Sequence, residues 1–155
     1  MKRFIVIHHS LTKDGETVSW DAIRNYHIKE RGFTDIGYHF GIEKIGYRYE
    51  TLIGRMPNET GAHCKELGMN SLAYGICLVG DFDSAAPPKE QLFAAALLCA
   101  FLCKDKNIPV RHIYGHREVG RLAGFNWEEG EYKSCPGSQL SMDELRTDVQ
   151  RMLDA

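Results

Sequence analysis

Two stretches of the chain end an apolar run on an imidazole: "FIVIHHS" at residues 4–10 and "IYGHREVG" at 113–120. A third, "YKSCPG" at 132–137, sets a thiol in a Pro-Gly turn. Zinc takes nitrogen and sulfur ligands in a tetrahedron, and a catalytic zinc keeps three protein ligands and leaves one corner for water. Two His and one Cys suit that role, and the chemistry they allow is hydrolysis by a metal-bound water of lowered pKa. Spacing alone does not select the ligands, because the three residues lie far apart and no short zinc motif joins them.

Alternatives stand within each stretch. His8 and His9 alternate faces if the strand continues, so one of them points at a shared site and the other is packed or on the surface. Parity does not choose between them. His112 and His116 are four apart; Pro109, Val110, Ile113 and Gly115 argue for a strand, in which both would share a face. The place of His116 at the strand end, where loops gather, favours it, and leaves His112 as a structural residue bonded to backbone. Cys135 is expected to be exposed in a type II turn, with Pro second and Gly third, and Lys133 nearby favours its thiolate. Cys77, Cys99 and Cys103 lie in apolar stretches and read as small core residues. Cys64, beside His63, is the rival ligand or nucleophile.

The elements that must position these groups are legible in outline. Residues 3–8 and 72–79 are apolar runs that read as buried strands. Residues 38–44 and 47–53 read as a hairpin turning at Gly46. A helix over 19–31 has Ser19 as its N-cap, and a helix over 89–105 follows Pro87-Pro88 with Leu92, Ala95, Cys99 and Leu102 inward. Residues 109–114 form a short strand. Ser141 and Glu144 cap a last helix with Leu145, Val149 and Met152 inward. Residues 54–71 read as a long loop, a length usually tied to function. This mixture predicts one α/β domain over 1–155, a mixed central β-sheet flanked by helices.

The bulk numbers bound the partners. The 155 residues are 43% hydrophobic and 26% charged, with a net charge of −2 and no run of like charge. That argues against nucleic acid as main partner and against a polybasic membrane anchor. The apolar run at Phe4–Ile7 is shorter than the about 7–15 residues of a secretory signal, and the run at 92–103 is too short to span a bilayer. Cytoplasmic synthesis without a signal peptide, free cysteines and a monomer are expected.

Five blocks in one order carry a resemblance: "IVIHHS", "DIGYHFGI", "GAHC…GMN…YGICLVGDFD", "GHREVG" and "KSCPG". Over residues 4–140 the chain resembles the type 2 N-acetylmuramoyl-L-alanine amidases, the group that includes phage T7 lysozyme and the peptidoglycan recognition proteins. The resemblance implies a mixed sheet with a zinc-floored groove. It implies His8, His116 and Cys135 as Zn²⁺ ligands, Tyr38 and Lys133 as catalytic residues, and His63 and Asn70 as substrate-binding residues. The implied reaction is hydrolysis of the amide between N-acetylmuramic acid and L-alanine in peptidoglycan. Tyr38 is the first option for passing a proton to the leaving amine and Glu118 the second. Partners that orient the ligand imidazoles are expected, but the sequence does not identify them.

The chain departs from the family pattern in places. His63 and Gly68 are five apart where three is usual, Ala73 and Tyr74 replace a common Ser and Ile, and residues 121–131 lengthen the link between the last two ligands. The first puts a small insertion in the groove wall; together the departures are expected to leave the metal chemistry alone and to leave stem-peptide preference undetermined. The implied setting is a phage or prophage endolysin acting on the wall after release at lysis, with a cytosolic wall-recycling amidase as the second reading. Three rival classes remain: a recognition module that binds peptidoglycan without cutting it, a thiol hydrolase using Cys64 or Cys135, and a structural metal module with a fourth ligand from His63, Cys64 or His112.

Overall fold

β-branched side chains crowd residues 4–9, and the segment forms the strand about which the sheet is assembled. The structure, a computed structural model, describes residues 1–12 and 20–155. In chain order it has β1 (Phe4–His9), α1 (Trp20–Lys29), β2 (Phe40–Ile45), β3 (Arg48–Ile53), α2 (Met69–Leu72), β4 (Ala73–Leu78), α3 (Lys89–Lys106), β5 (Ile113–Gly115), α4 (His116–Leu122) and α5 (Met142–Asp154). Short 3₁₀ turns lie at Glu66–Gly68, Val110–His112 and Trp127–Glu129. The strand order is β3-β2-β4-β1-β5. β1 runs parallel to β4 and β5, β2 runs parallel to β4, and β2–β3 is an antiparallel hairpin. The expected mixed sheet is therefore present, and Gly46, at φ 64°, turns the hairpin.

The central strands are buried on both faces, so alternation sorts their side chains between two different interiors. Ile5 and Ile7 join Ile42, Ile76 and Leu78 in the main core under α3 and α5. Val6 faces the opposite way, with Cys64, Met69, Ala73 and Val119. His8 shares that second face. His9 turns to the first, where its Nδ1 accepts the Phe82 N–H at 3.1 Å. The parity that the sequence left open is set by which face α3 and α5 cover.

Helix α3 shows why its inward face was only partly readable. Residues 92–103 are apolar all round, so periodicity does not fix the orientation. Ala95, Cys99 and Leu102 are buried as expected, joined by Ala96, Ala100 and Cys103, while Phe93, Leu97 and Phe101 are exposed. Asn107, at φ 55°, ends the helix in the left-handed conformation. At α5, Ser141 Oγ accepts the Glu144 N–H at 3.2 Å, and Leu145 and Val149 are fully buried. The expected cap at Ser19 lies outside the described residues.

Two local expectations are corrected. The strand expected over 109–114 is only Ile113–Gly115, and His112 sits in the preceding 3₁₀ turn. His112 and His116 therefore share no strand face. α4 begins at His116 and was not anticipated, because a seven-residue helix flanked and interrupted by Gly115 and Gly120 offers no periodic signal. The observed face of α3 makes a prediction. Leu102→Ala is expected to cost about 2–5 kcal/mol in urea unfolding, and Leu97→Ala, in the same helix, to stay within about 0.5 kcal/mol. Equal losses would show that the helix is turned differently.

Candidate metal centre

β1 and β5 are parallel neighbours in register, with Ile7 opposite Gly115. Their C-terminal ends therefore deliver His8 and His116 side by side. Cys135 arrives from a separate loop. Donor atoms of His8, His116 and Cys135 all lie within 4.8 Å of one another, and all three residues are buried. Cys135 Sγ is 3.7 Å from His8 Nδ1. Zinc bonds of about 2.0 Å to nitrogen and about 2.3 Å to sulfur set N and S roughly 3.5 Å apart across a tetrahedral edge. The donor chemistry suits zinc, and the Cys135–His8 separation is close to that edge. His112 is elsewhere: its ring stacks on Phe4 and its Nδ1 is 3.0 Å from Arg3 O, a backbone-bonded structural histidine.

The thiol environment differs from expectation. The Cys135–Pro136 peptide is cis, and Gly137 N–H donates to Ser134 O at 2.9 Å. Pro136 is therefore the third residue of the turn, as in type VI rather than type II. Cys135 is buried, not exposed. Burial pushes its thiol up to about 12, against the opposing effects of a His9 backbone bond and Lys133. Burial likewise takes Cys64 to about 12. Thiols held protonated are poor nucleophiles, which argues against the thiol hydrolase.

The tripeptide His116-Arg117-Glu118 ties the site together. Arg117 N–H donates to Cys135 O at 2.7 Å, and its guanidinium donates to the carbonyls of Ser134, Gly137 and Leu140. One residue thus binds the start of α4, which bears His116, to the loop that bears Cys135. Asp83 holds the same loop from the other side, accepting from Ser134 Oγ at 2.8 Å and Ser138 N at 2.8 Å. Glu118 accepts the Gly115 N–H at 2.8 Å and pairs with Arg146 of α5. That engagement turns Glu118 toward Gly115 and α5, and it is not among the residues lining the cleft.

Behind His8 stands His63. Its Nε2 lies 3.3 Å from Ala73 O; a carbonyl only accepts, so that nitrogen carries the proton. His63 Nδ1 is then an acceptor and takes His8 Nε2–H at 3.0 Å. The His8 lone pair is left on Nδ1, the atom facing Cys135. A Cβ on Gly75 would fall 2.5 Å from the His63 ring, so β4 needs glycine there. Asn70 does not line the cleft: its Oδ1 accepts the N–H groups of His63 and Cys64 at 2.7 and 2.8 Å. His63 borders the cleft, but both ring nitrogens are engaged behind it. His116 Nε2 is 3.0 Å from Tyr132 Oη, leaving Nδ1 for the cluster. These supports were invisible in sequence because each joins segments far apart along the chain.

The cluster opens on a cleft of about 780 Å³ whose walls include Tyr26, Arg31, Tyr38, His63 and Lys133. Tyr38 precedes β2, its ring 5.1 Å from that of His8 and flanked by Trp20 and His27 of α1. Burial, and then Cys77 and Cys135, raise its hydroxyl pKa well above the ordinary value. Tyr38 therefore keeps its proton and is a donor. Lys133 is exposed at the rim. The structure thus brings His8, His116, Cys135, Tyr38 and Lys133 to one cleft, with His63 behind and Asn70 in the supporting loop.

Known proteins similar to this chain show its family. The profile of the N-acetylmuramoyl-L-alanine amidase family matches residues 2–138. The chain belongs to that family. The amidase-family relatives include peptidoglycan-recognition protein LB of Drosophila melanogaster, 35% identical over 145 residues, which cover 88% of this chain and 55% of the relative. The endolysin of Escherichia phage T7 is 34% identical over 142 residues, 88% of this chain and 81% of the relative. Among solved structures, the endolysin amidase LysCS from Clostridium intestinale superposes with a TM-score of 0.77 at 27% identity, covering 96% of this chain and 84% of that one. The chain spans little more than half the length of the recognition-protein relative.

Two predictions follow from the charge and the tether. Burial, first of all, lowers the pKa of His39 to about 4, His63 to about 3 and His116 to about 4. Between pH 6.5 and about 4 the unfolded chain therefore binds more protons than the folded one, so lowering pH costs stability. The urea midpoint of metal-free protein is expected to fall across that window; a flat profile contradicts the buried neutral rings. Arg117→Lys, which cannot present a guanidinium fork, is expected to weaken zinc binding at least about tenfold in a chelator competition. Unchanged affinity would show the tether to be dispensable.

Proposed function

We propose that the chain is a zinc-dependent N-acetylmuramoyl-L-alanine amidase that hydrolyses the amide between the lactyl group of N-acetylmuramic acid and L-alanine. The observation that carries this reading is the three-donor cluster at the floor of an open cleft, with a tyrosine and a lysine on its walls. Among the described residues the group of His8, His116 and Cys135 has no fourth member, which favours a catalytic over a closed structural site. Zinc held there would supply a water of lowered pKa and polarise the scissile carbonyl.

The residues of the chain divide the remaining work. His8 and His116, neutral because buried, offer lone pairs without first losing a proton. Tyr38, protonated at neutral pH, and the Lys133 ammonium donate hydrogen bonds to the oxyanion that forms as water adds to the carbonyl. The C–N bond then breaks, and the departing L-alanine nitrogen takes a proton; Tyr38 is the group placed to pass it. The cleft walls hold the glycan and stem peptide, and support for that substrate class comes from a Drosophila PGRP-LB mutant solved in complex with tracheal cytotoxin, 31% identical at a TM-score of 0.71. Similarity to phage endolysins supports a lytic role for the chain. The recognition-protein relatives support the second reading, binding without cleavage.

Mass spectrometry of purified muropeptides incubated with the protein separates these readings. The expected result is release of the peptide from the lactyl group, stopped by chelator and restored by Zn²⁺. Tyr38→Phe is expected to lower turnover by about 10²–10³, the usual loss for one oxyanion donor. Cleavage by Cys135→Ala at the parental rate would falsify the metal mechanism, and binding with no change in mass would favour recognition alone.

A further inference from the structure

His116 has a support of its own, built from residues of two segments far apart in sequence. Tyr132 Oη lies 3.0 Å from His116 Nε2. The Tyr132 ring is seated by stacking on Phe125, with centroids 5.6 Å apart and planes at 15°. It also lies over Gly120, where a Cβ would come within 2.3 Å of the ring. Glu66, one of the extra residues between His63 and Gly68, brings a carboxylate to the same place: donor atoms of Cys64, Glu66 and His116 lie within 4.8 Å of one another. Glu66 Oε2 is buried with no donor in bonding position, and, after burial, the neighbouring Glu66 carboxylate raises the pKa of the Tyr132 hydroxyl, which sets the two groups side by side.

We propose that Tyr132 and Glu66 form a relay that positions His116 for the metal, with the Tyr132 hydroxyl donating to Glu66 and accepting the His116 Nε2–H. The proposal rests on the zinc-site reading above for its purpose, though not for its geometry. The hydroxyl has one proton and two lone pairs. If it donated to His116 Nε2, the neutral ring would carry its proton on Nδ1 and could not ligate there. The buried Glu66 oxygen would then stay without a donor, an unfavourable arrangement for a buried acceptor. In the opposite orientation the hydroxyl proton is turned to the Glu66 carboxylate, the His116 proton is fixed on Nε2 and Nδ1 is freed. The same arrangement thus offers the orphan oxygen a donor at the cost of a small closing movement and makes His116 competent as a ligand. Tyr132 and Glu66 are positioning residues, since neither lines the cleft. The cluster of Cys64, Glu66 and His116 is a poorer candidate for a second metal ion, because His116 Nε2 already meets Tyr132.

The test uses the whole chain with Tyr132→Phe, Glu66→Ala and the double variant. Zinc affinity is measured by competition with a chelating dye, stoichiometry by metal analysis, and the His116 tautomer by long-range ¹H–¹⁵N NMR of metal-free protein. Each single variant is expected to bind zinc roughly 10–100-fold more weakly than the parent. The double variant should be little worse than either single one, as for residues acting in one chain of bonds. Parental His116 is expected as the Nε2–H tautomer, with that preference reduced in Tyr132→Phe. A merely structural role would lower the melting temperature of the metal-free protein and leave the tautomer unmoved. Parental affinity in both variants, an Nδ1–H tautomer, or two zinc ions per chain with one lost in Glu66→Ala would each overturn the relay. A parent that binds no zinc would sink the function reading instead, while the tautomer would still decide the hydrogen-bond direction.

Discussion

The site depends on a buried guanidinium. Arg117 is 8% exposed, and its hydrogen bonds run to backbone carbonyls of the Cys135 loop. Taking such a charge out of water is costly unless its donors are satisfied. Here several carbonyl dipoles and the Trp127 ring, 4.9 Å from the guanidinium carbon, offset that cost. The consequence is geometric. His116 and Cys135 are nineteen residues apart in sequence, yet the residue next to the first fixes the loop that bears the second. Everything else about the thiol, its burial and its aim toward His8, follows from where that loop is pinned.

The histidines obey a related constraint. Buried imidazoles are held neutral because the charged form is poorly solvated, and neutrality is what a ligand needs. Neutrality alone does not decide which nitrogen keeps the proton. For His8 the answer comes from the Ala73 carbonyl through His63, a strand backbone group that cannot donate. The sheet therefore does more than carry His8 to the edge: β4 supplies both the carbonyl and the glycine gap that admits the His63 ring.

Much of this was legible in sequence, and the misses have physical causes. The ends of β1 and β5, helices α1, α3 and α5, and the His8, His116 and Cys135 that the fold brings together were marked by strong local signals or by ordered motifs. The side of β1 that bears the site depended on which face α3 and α5 cover, and α3 is too uniformly apolar to say. The turn at Cys135 was misread because "CPGS" fits type II as well as its neighbours "SCPG" fit a turn with proline third. α4 was missed for want of periodicity. The pairs His8–His63 and His116–Tyr132 span 55 and 16 residues of sequence, and no local pattern encodes them.

The departures from the family pattern gain meaning from their meeting place. The insertion between His63 and Gly68 was expected in the groove wall, and residues 121–131 only to lengthen a connection. Instead Glu66 reaches the back of His116, Phe125 stacks on Tyr132, and Trp127 covers Arg117. Apart from His63 at their border, these segments lie behind the ligands rather than on the cleft wall. Two changes far apart in sequence thus act on one small volume, the packing behind the second imidazole. A chain can carry such changes and leave its cleft intact, because a ligand's support need only conserve one hydrogen-bond direction, and many pairs of side chains can supply it.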